Sequence, residues 1–327
     1  MTVMNVRRRH ISAVALTAVA ALGFGTLTAC SSDSAAAGDT GSFDVVASFY
    51  PMAFLAERIG GEHVHVTSLT QPGQEPHDLE ISARQTAQLE EADAALYLKG
   101  LQPSVDEAIG QSPIATKIDA AELTTLEEHG TEAGHDEEHG DEHAHEDEHG
   151  HDHEGGDPHI WLDPVRYAEV AEGVGKAFQK ADPDHAADYR KNTAALVKDL
   201  KALDEKFRTG LANRTTDVFV TTHAAFGYLA ERYGLTEEAI SGLDPDTEPS
   251  GARVKELQKI AKEDGVTTVF YETLVSDKTA KTLAGDTGLR TDVLDPVEGI
   301  TDRSRGEDYF QVMEANLTAL RTALGAR

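Results

Sequence analysis

The chain has 327 residues, enough for two domains or one two-lobed protein, and its 39% hydrophobic residues can build a sizeable core. Its formal charge of −29 argues against a nucleic-acid partner, because phosphate binding needs clustered Lys and Arg. With Cys30 as its single cysteine, the chain has no internal disulfide and must be stable without one.

The first 29 residues are typical of a secretory signal peptide rather than of a membrane span. A basic segment at residues 7–9 precedes small and apolar residues from 11 to 27. The sequence Leu27-Thr28-Ala29-Cys30 resembles a bacterial lipobox, in which the cysteine becomes the first residue and carries lipid. We therefore expect lipidation of Cys30, a flexible tether over residues 30–42, and anchoring at the outer face of the cytoplasmic membrane.

From residue 43 onward, short apolar strands alternate with helices, which predicts parallel pairing and an α/β fold. We expect an N-terminal lobe at residues 43–164, helices over 165–212 and a C-terminal lobe at 213–327. Predicted strands lie at 45–50, 63–69, 94–98, 114–118, 217–222, 239–243, 267–271 and 291–294. Predicted helices lie at 52–59, 82–91, 105–110, 165–180, 183–211, 224–233, 250–263, 278–284 and 308–324.

The helix predicted over residues 183–211 has an apolar stripe of leucines that ends at Phe207. At about 1.5 Å per residue, its 28 or so residues make a rod roughly 40 Å long. This length is enough to cross a domain, so we expect it to be one long rigid helix that joins two lobes.

Four side chains are candidate metal ligands. His77, His223 and Asp295 each follow a predicted strand, and ligands of open α/β sheets bind outside the carboxyl ends of strands. His159 lies in a segment bracketed by Pro158 and Pro164. Taken singly, a loop histidine more often has a structural role, and the pair Asp295-Pro296 is also typical of an ordinary turn. Taken together, imidazoles and a carboxylate meeting in a cleft between the lobes suit Zn²⁺.

These segments resemble those of a known family, the metal-binding solute-binding lipoproteins of bacterial ABC importers in the zinc and manganese cluster. The motifs that carry the resemblance are the lipobox and residues 72–80, 157–164, 222–228, 244–250 and 294–296. The resemblance implies two α/β lobes, one connecting helix and a metal site in the cleft between the lobes.

The resemblance also implies a ligand set of His77, His159, His223 and Asp295. A histidine at position 223, where manganese members carry a carboxylate, favours zinc. The fourth ligand stays open, because Glu75, Glu272 or a water could replace Asp295.

Residues 127–154 form a tract of histidines and acids with almost no apolar residues, so we expect a disordered loop without a core of its own. It holds thirteen acids and eight histidines, which could simply be a solvated acidic insertion. Such a density of imidazoles favours accessory zinc binding. The tract histidines are His129, His135, His139, His143, His145, His149, His151 and His153.

The expected function is a high-affinity zinc receptor, a monomer that carries Zn(II) as its bound solute and delivers it to an ABC transporter permease. The lipid bilayer, through Cys30, is the second expected partner. Alternatives are a manganese receptor of the same class and a zinc-buffering lipoprotein or adhesin without a transport role. We expect no enzyme, because no predicted helix carries the zinc hydrolase motif H-E-x-x-H.

Overall fold

The computed structural model describes residues 42–130 and 156–327. Within these residues, two parallel sheets of four strands form the centres of two lobes, and both sheets have the same strand order. The N-terminal sheet, ordered β2-β1-β3-β4, consists of β1 (Phe43–Ala47), β2 (Val64–Ser68), β3 (Ala94–Tyr97) and β4 (Thr116–Asp119). The C-terminal sheet, ordered β6-β5-β7-β8, consists of β5 (Val218–Thr221), β6 (Thr236–Ala239), β7 (Thr268–Tyr271) and β8 (Arg290–Val293).

Helices connect the strands and cover the sheets, which confirms the predicted α/β class. The described helices are α1 (Tyr50–Gly60), α2 (Ala83–Glu91), α3 (Pro103–Gln111), α4 (Pro164–Ala181), α5 (Ala186–Gly210), α6 (Gly227–Tyr233), α7 (Gly251–Glu263), α8 (Lys278–Thr287) and α9 (Tyr309–Ala323). Polar caps fix several starts: the side chains of Ser82, Asp163 and Ser250 accept backbone N–H groups of α2, α4 and α7. None of the described helices has the length and apolar character needed to cross a bilayer.

Several predicted boundaries were wrong, and two of them concern the neighbouring elements β6 and α6. Strand β6 begins at Thr236 and ends at Ala239, whereas the sequence placed it at residues 239–243. Helix α6 begins at Gly227, three residues later than predicted. The differences at β6 and α6 have the same cause, which is that the segment after β5 pairs with the segment after β6. The Ala224 N–H donates to the carbonyl of Gly242 at 2.9 Å. That pairing holds residues 222–226 as a loop.

Helix α5 links the lobes, as predicted, after a single 3-10 turn at Pro183–His185. Its 25 residues make a rod about 37 Å long. Near its N-terminus it packs on α1 and α4, where the Asn192 amide donates to the carbonyl of Ile59 at 3.0 Å. Near its C-terminus, the Phe207 ring stacks on Tyr233 of the other lobe at 5.2 Å.

The largest buried apolar cluster runs through both lobes without a break and includes Phe49, Trp161, Leu200 and Tyr309. Trp161 is a fully buried member of this cluster, and its indole N–H donates to the carbonyl of Pro296 at 2.6 Å. The Tyr309 hydroxyl in turn donates to the carbonyl of Trp161 at 2.6 Å. The segment around Trp161 is therefore fastened to the C-terminal lobe by buried hydrogen bonds, which limits relative movement of the lobes.

Candidate metal centre

Three imidazoles and one carboxylate meet between the two sheets: His77, His159, His223 and Glu298, each offering one ligand atom, with all four atoms within 4.8 Å of one another. Nε2 of His159 lies 3.4 Å from Nε2 of His223. Glu298 Oε1 lies 3.5 Å from Nε2 of both His77 and His159, and 3.8 Å from Nε2 of His223. A tetrahedral Zn²⁺ shell with bonds of 2.0–2.1 Å puts its ligand atoms about 3.3 Å apart, so the spacing matches such a shell.

Each of the four candidate ligand atoms belongs to a residue in a loop or at the start of a 3-10 turn. His77 lies on the connection from β2 to α2, and His223 lies two residues beyond the end of β5. His159 directly precedes a 3-10 turn at Ile160–Leu162, and Glu298 follows β8. Because the carboxyl ends of all strands of a parallel sheet lie on the same side, the loops after β5 and β8 bring His223 and Glu298 together although β7 separates the two strands.

The Glu298 carboxylate is fully buried, and neither oxygen has a hydrogen-bond partner among the described residues. Burial alone would raise the pKa of Glu298, but the neighbouring imidazoles of His159 and His77 hold it below its ordinary value. Contacts of 3.5 Å are too long for good hydrogen bonds, so these imidazoles act on Glu298 mainly through charge. An ionised, buried carboxylate without donors is a group that a cation would satisfy.

Two further carboxylates orient the imidazoles from behind. Asp157 Oδ1 lies 2.7 Å from Nδ1 of His159, and Glu272 Oε1 lies 2.7 Å from Nδ1 of His223. These contacts leave each Nε2 free to face the centre, as outer carboxylates do for the histidine ligands of zinc proteins. Burial would lower the pKa of His159, but Asp157 outweighs it and raises that pKa to about 10. Glu272 likewise raises the pKa of His223 against the effect of burial.

His77 has a different environment. Burial lowers its pKa, and its side chain has no hydrogen-bonded carboxylate behind it among the described residues. Its backbone N–H donates to Glu75 Oε1 at 3.1 Å, so Glu75 positions the loop. Burial, together with the charge of Glu298, raises the pKa of Glu75 to about 9 and keeps this carboxyl neutral. Neither Glu75 nor Glu272 belongs to the four-atom cluster.

The structure corrects the position expected for Asp295, which lies outside the four-atom cluster. Its Oδ1 accepts the backbone N–H of Val297 at 2.8 Å, and its Oδ2 accepts the hydroxyl of Thr273 at 3.0 Å. Both oxygens are thus engaged in holding a turn. The turn includes a strained residue, since the buried Val297 has φ of +59°, a conformation that β-branched residues rarely adopt. The turn carries Glu298, the next residue, into the cluster.

Sequence reasoning therefore found three of the four clustered side chains and missed Glu298. The missed signal was modest: an acid three residues beyond Asp295, on the same loop after β8. The orienting role of Asp157 was also missed, although it stands two residues before His159. Cys30 and the tract histidines from 135 to 153 lie outside the described residues, whereas His129 is described and lies outside the cluster.

Two α/β lobes on one long helix, with three imidazoles and a carboxylate clustered between them, place the chain in the class of two-lobed solute-binding proteins. The chain belongs to the family described as zinc-uptake complex component A, periplasmic, whose profile matches residues 45–323. This confirms the resemblance stated from the motifs.

Curated relatives agree. The zinc-binding lipoprotein AdcA of Streptococcus pneumoniae is 37% identical over 310 residues, which cover 90% of this chain and 58% of AdcA. The chain thus spans somewhat over half the length of that relative. The high-affinity zinc uptake system protein ZnuA of Bacillus subtilis is 36% identical over 286 residues, covering 86% of this chain and 87% of ZnuA.

Solved structures share the fold. The Zn(II)-bound ZnuA-like domain of Streptococcus pneumoniae AdcA superposes with a TM-score of 0.70 at 33% identity, covering 87% of this chain and 99% of that domain. The laminin-binding protein Lmb of Streptococcus agalactiae, described as bifunctional with adhesin and metal transporting activity, gives a TM-score of 0.74 at 29% identity. That match covers 86% of this chain and 100% of Lmb.

Proposed function

We propose that this protein is an extracytoplasmic receptor that binds one Zn²⁺ through His77, His159, His223 and Glu298 and delivers it to an ABC transporter permease. The observation that carries the proposal is the buried, ionised Glu298, which has no hydrogen-bond donor among the described residues and stands at zinc-shell distance from three imidazoles. A divalent cation supplies the positive charge that this group lacks.

The donor set favours zinc over manganese. Imidazole nitrogens suit Zn²⁺, whereas Mn²⁺ prefers carboxylate, carbonyl and water oxygens. Three of the four clustered donors are imidazoles, and both curated relatives described above are named for zinc. Mn²⁺ would therefore bind this centre more weakly than Zn²⁺.

The centre suits binding rather than turnover. A catalytic zinc keeps an open position for water, whereas four protein ligands close a tetrahedral shell. His159, His223 and Glu298 are buried, and His77 retains only 6% side-chain exposure. The role is thus that of a carrier, without hydrolase chemistry.

Release of the ion has to be local. The continuous core and the hydrogen bond from Trp161 to Pro296 hold the lobes and the Glu298 loop in place, so the loop that carries His77, the least buried of the four side chains, is the part that can move. In our proposal the permease moves this loop when it takes the ion. Lipidation at Cys30 anchors the receptor, as a monomer, at the outer face of the cytoplasmic membrane close to that permease.

The test compares zinc retention by the full-length protein and by its His159→Ala variant after exposure to a weak chelator. We expect one ion to stay with the wild type and to be lost from the variant. His65→Ala is the matched control, because His65 is exposed and pairs with Asp44 at the far end of β1. Equal zinc retention by wild type and His159→Ala would contradict the proposed centre.

A second measurement separates a transport receptor from an adhesin, the activity ascribed to Lmb beside metal transport. Cells that depend on this receptor should take up zinc with the wild type and should fail to grow at low zinc with His159→Ala. Normal zinc uptake in cells without the receptor would refute the transport role and leave adhesion or buffering.

A further inference from the structure

His129, the first histidine of the tract, has a defined place beside the buried centre. Its Nδ1 lies 3.0 Å from Oδ2 of Asp157, while Oδ1 of the same carboxylate lies 2.7 Å from Nδ1 of His159. Asp157 is fully buried and thus orients two imidazoles at once, one through each oxygen. Since each imidazole bonds Asp157 through Nδ1, its Nε2 remains available for a metal.

The second ring nitrogen of His129, Nε2, lies beside Glu231, and a second acid, Glu127, is close by. Nε2 of His129 lies 3.4 Å from Oε2 of Glu231 on α6, and ligand atoms of Glu127, His129 and Glu231 all lie within 4.8 Å of one another. One imidazole and two carboxylates form a ligand set that Zn²⁺ accepts. Unlike the buried cluster, this one is open, because Glu231 is 54% exposed.

The position of His129 is fixed by packing. Its ring contacts the ring of Tyr228 edge-on at 4.4 Å, and a Cβ added to Gly227 would lie 2.5 Å from the Cβ of His129. The base of the tract is closed as well, since the N–H of Asp157 donates to the carbonyl of Glu127 at 2.8 Å. The imidazole is therefore held next to α6 before any ion binds.

The surroundings allow an ion but make it a weaker site than the buried one. A cavity of about 500 Å³ adjoins His129 and Glu231, with room for the water molecules that would complete a shell. Against this, the guanidinium of Arg166 contacts Glu127 and lies 3.9 Å from Oε2 of Glu231. Its positive charge opposes a cation at this position.

We propose that Glu127, His129 and Glu231 hold a second Zn²⁺, and that Asp157 couples this outer site to the buried ion. The coupling rests on the function proposed above, because it concerns the ion bound by His159. An ion on Nε2 of His129 makes its Nδ1–H a stronger donor to Asp157. Asp157 then supports His159 less well as a ligand, so filling the outer site speeds release of the buried ion.

The test is isotope exchange on the full-length protein. The protein is loaded with one equivalent of ⁶⁷Zn, mixed with rising concentrations of natural zinc, and the ⁶⁷Zn that remains bound is measured by mass spectrometry. For the wild type, we expect the exchange rate to rise with external zinc to a plateau about fivefold or more above its starting value, a usual size for coupling between two sites.

Three variants locate the effect. Glu231→Gln keeps the contact between His129 and Asp157 but removes a ligand, so its exchange rate should stay flat as external zinc rises. His129→Gln should be flat too. His135→Gln removes one tract imidazole that is not among the three proposed ligands, and should behave as the wild type.

The outcomes separate the two proposals. If the wild type retains one ⁶⁷Zn but Glu231→Gln shows the same zinc-dependent acceleration, the outer site is refuted and the buried centre stands. If the wild type retains no ⁶⁷Zn after removal of loosely bound metal, the buried centre itself fails. An acceleration lost equally in His135→Gln would assign the effect to the tract as a whole and also refute the outer site.

Discussion

Glu298 lowers the stability of the metal-free protein. Its buried carboxylate has lost its hydrating water, and no hydrogen-bond donor among the described residues replaces that water. The partial compensation comes from the imidazoles, through charge and at distances longer than a hydrogen bond. Asp295 is the opposite case: its oxygens are engaged by Val297 and Thr273. On the same loop, Glu298 thus faces the proposed metal position, whereas Asp295 stabilises the backbone turn.

This division gives a prediction for zinc affinity. Glu298→Gln should weaken zinc binding by at least about 100-fold, more than the 10- to 100-fold typical of an outer partner, because a charged ligand is lost. Asp295→Asn should weaken it by less than about tenfold, since the amide oxygen can still accept the N–H of Val297. Competition with a chelator of known affinity measures both, and a larger loss in Asp295→Asn would restore Asp295 as the ligand.

Glu237 offers a prediction on stability against pH. This carboxylate on β6 accepts the N–H of Phe226 at 3.0 Å and the hydroxyl of Thr221 at 2.7 Å. Burial raises its pKa to about 7 from an ordinary 4.5. A raised folded-state pKa means that its favourable contribution is complete below pH 4.5 and is lost as the pH rises through 7.

Glu237→Gln should therefore match the wild type near pH 4.5 and be more stable at pH 8. The full shift would correspond to about 3 kcal/mol, and we expect about 1–2 kcal/mol because the side chain keeps some exposure. Urea unfolding of the metal-free protein at pH 4.5, 6 and 8 measures the difference. A stability difference that is the same at all three pH values would show that Glu237 does not titrate in this range.

At the scale of elements, α5 is the part on which both lobes depend. Leu200 lies at the middle of its apolar stripe and is fully buried, while the neighbouring Lys201 is exposed. Leu200→Ala should lower the free energy of unfolding by about 2–5 kcal/mol, the usual cost of a core cavity. Lys201→Ala is the matched control and should change it by less than about 0.5 kcal/mol. Equal effects in chemical denaturation would mean that α5 is not part of the common core.

The elements also show how far sequence reasoning reaches. Periodicity was enough for α5, because the apolar stripe from Leu196 to Phe207 fits one helical face over about three turns. Hydrophobic periodicity failed at β6. The sequence Thr236-Glu237-Glu238 is also typical of the start of a helix, and it forms a strand because it pairs with β5. Glu298 was missed for a related reason. Which acid of a loop faces inward depends on the backbone dihedral angles, here the positive φ of Val297. The sequence pattern of a loop does not predict these angles.

At the scale of the whole molecule, the core that joins the lobes predicts cooperative unfolding. Because Trp161 and its neighbours belong to one buried cluster with residues of both lobes, we expect a single calorimetric transition for residues 42–327. Zinc should raise the temperature of the whole transition. The added free energy of unfolding is about 2.7 kcal/mol when free zinc is 100 times its dissociation constant. Two transitions, of which only one shifts with zinc, would show that the lobes unfold independently.

The same continuous core bears on how binding energy is used. In a receptor that alternates between open and closed forms, the apparent dissociation constant is the intrinsic one divided by the fraction of molecules in the binding-competent form. Such a receptor therefore binds its ligand more weakly than one that stays in the competent form. Here Trp161, Tyr309 and Pro296 hold both halves of the centre in one arrangement. The binding-competent state is therefore the resting state, and none of the free energy of the ion's coordination is consumed in bringing the two halves together.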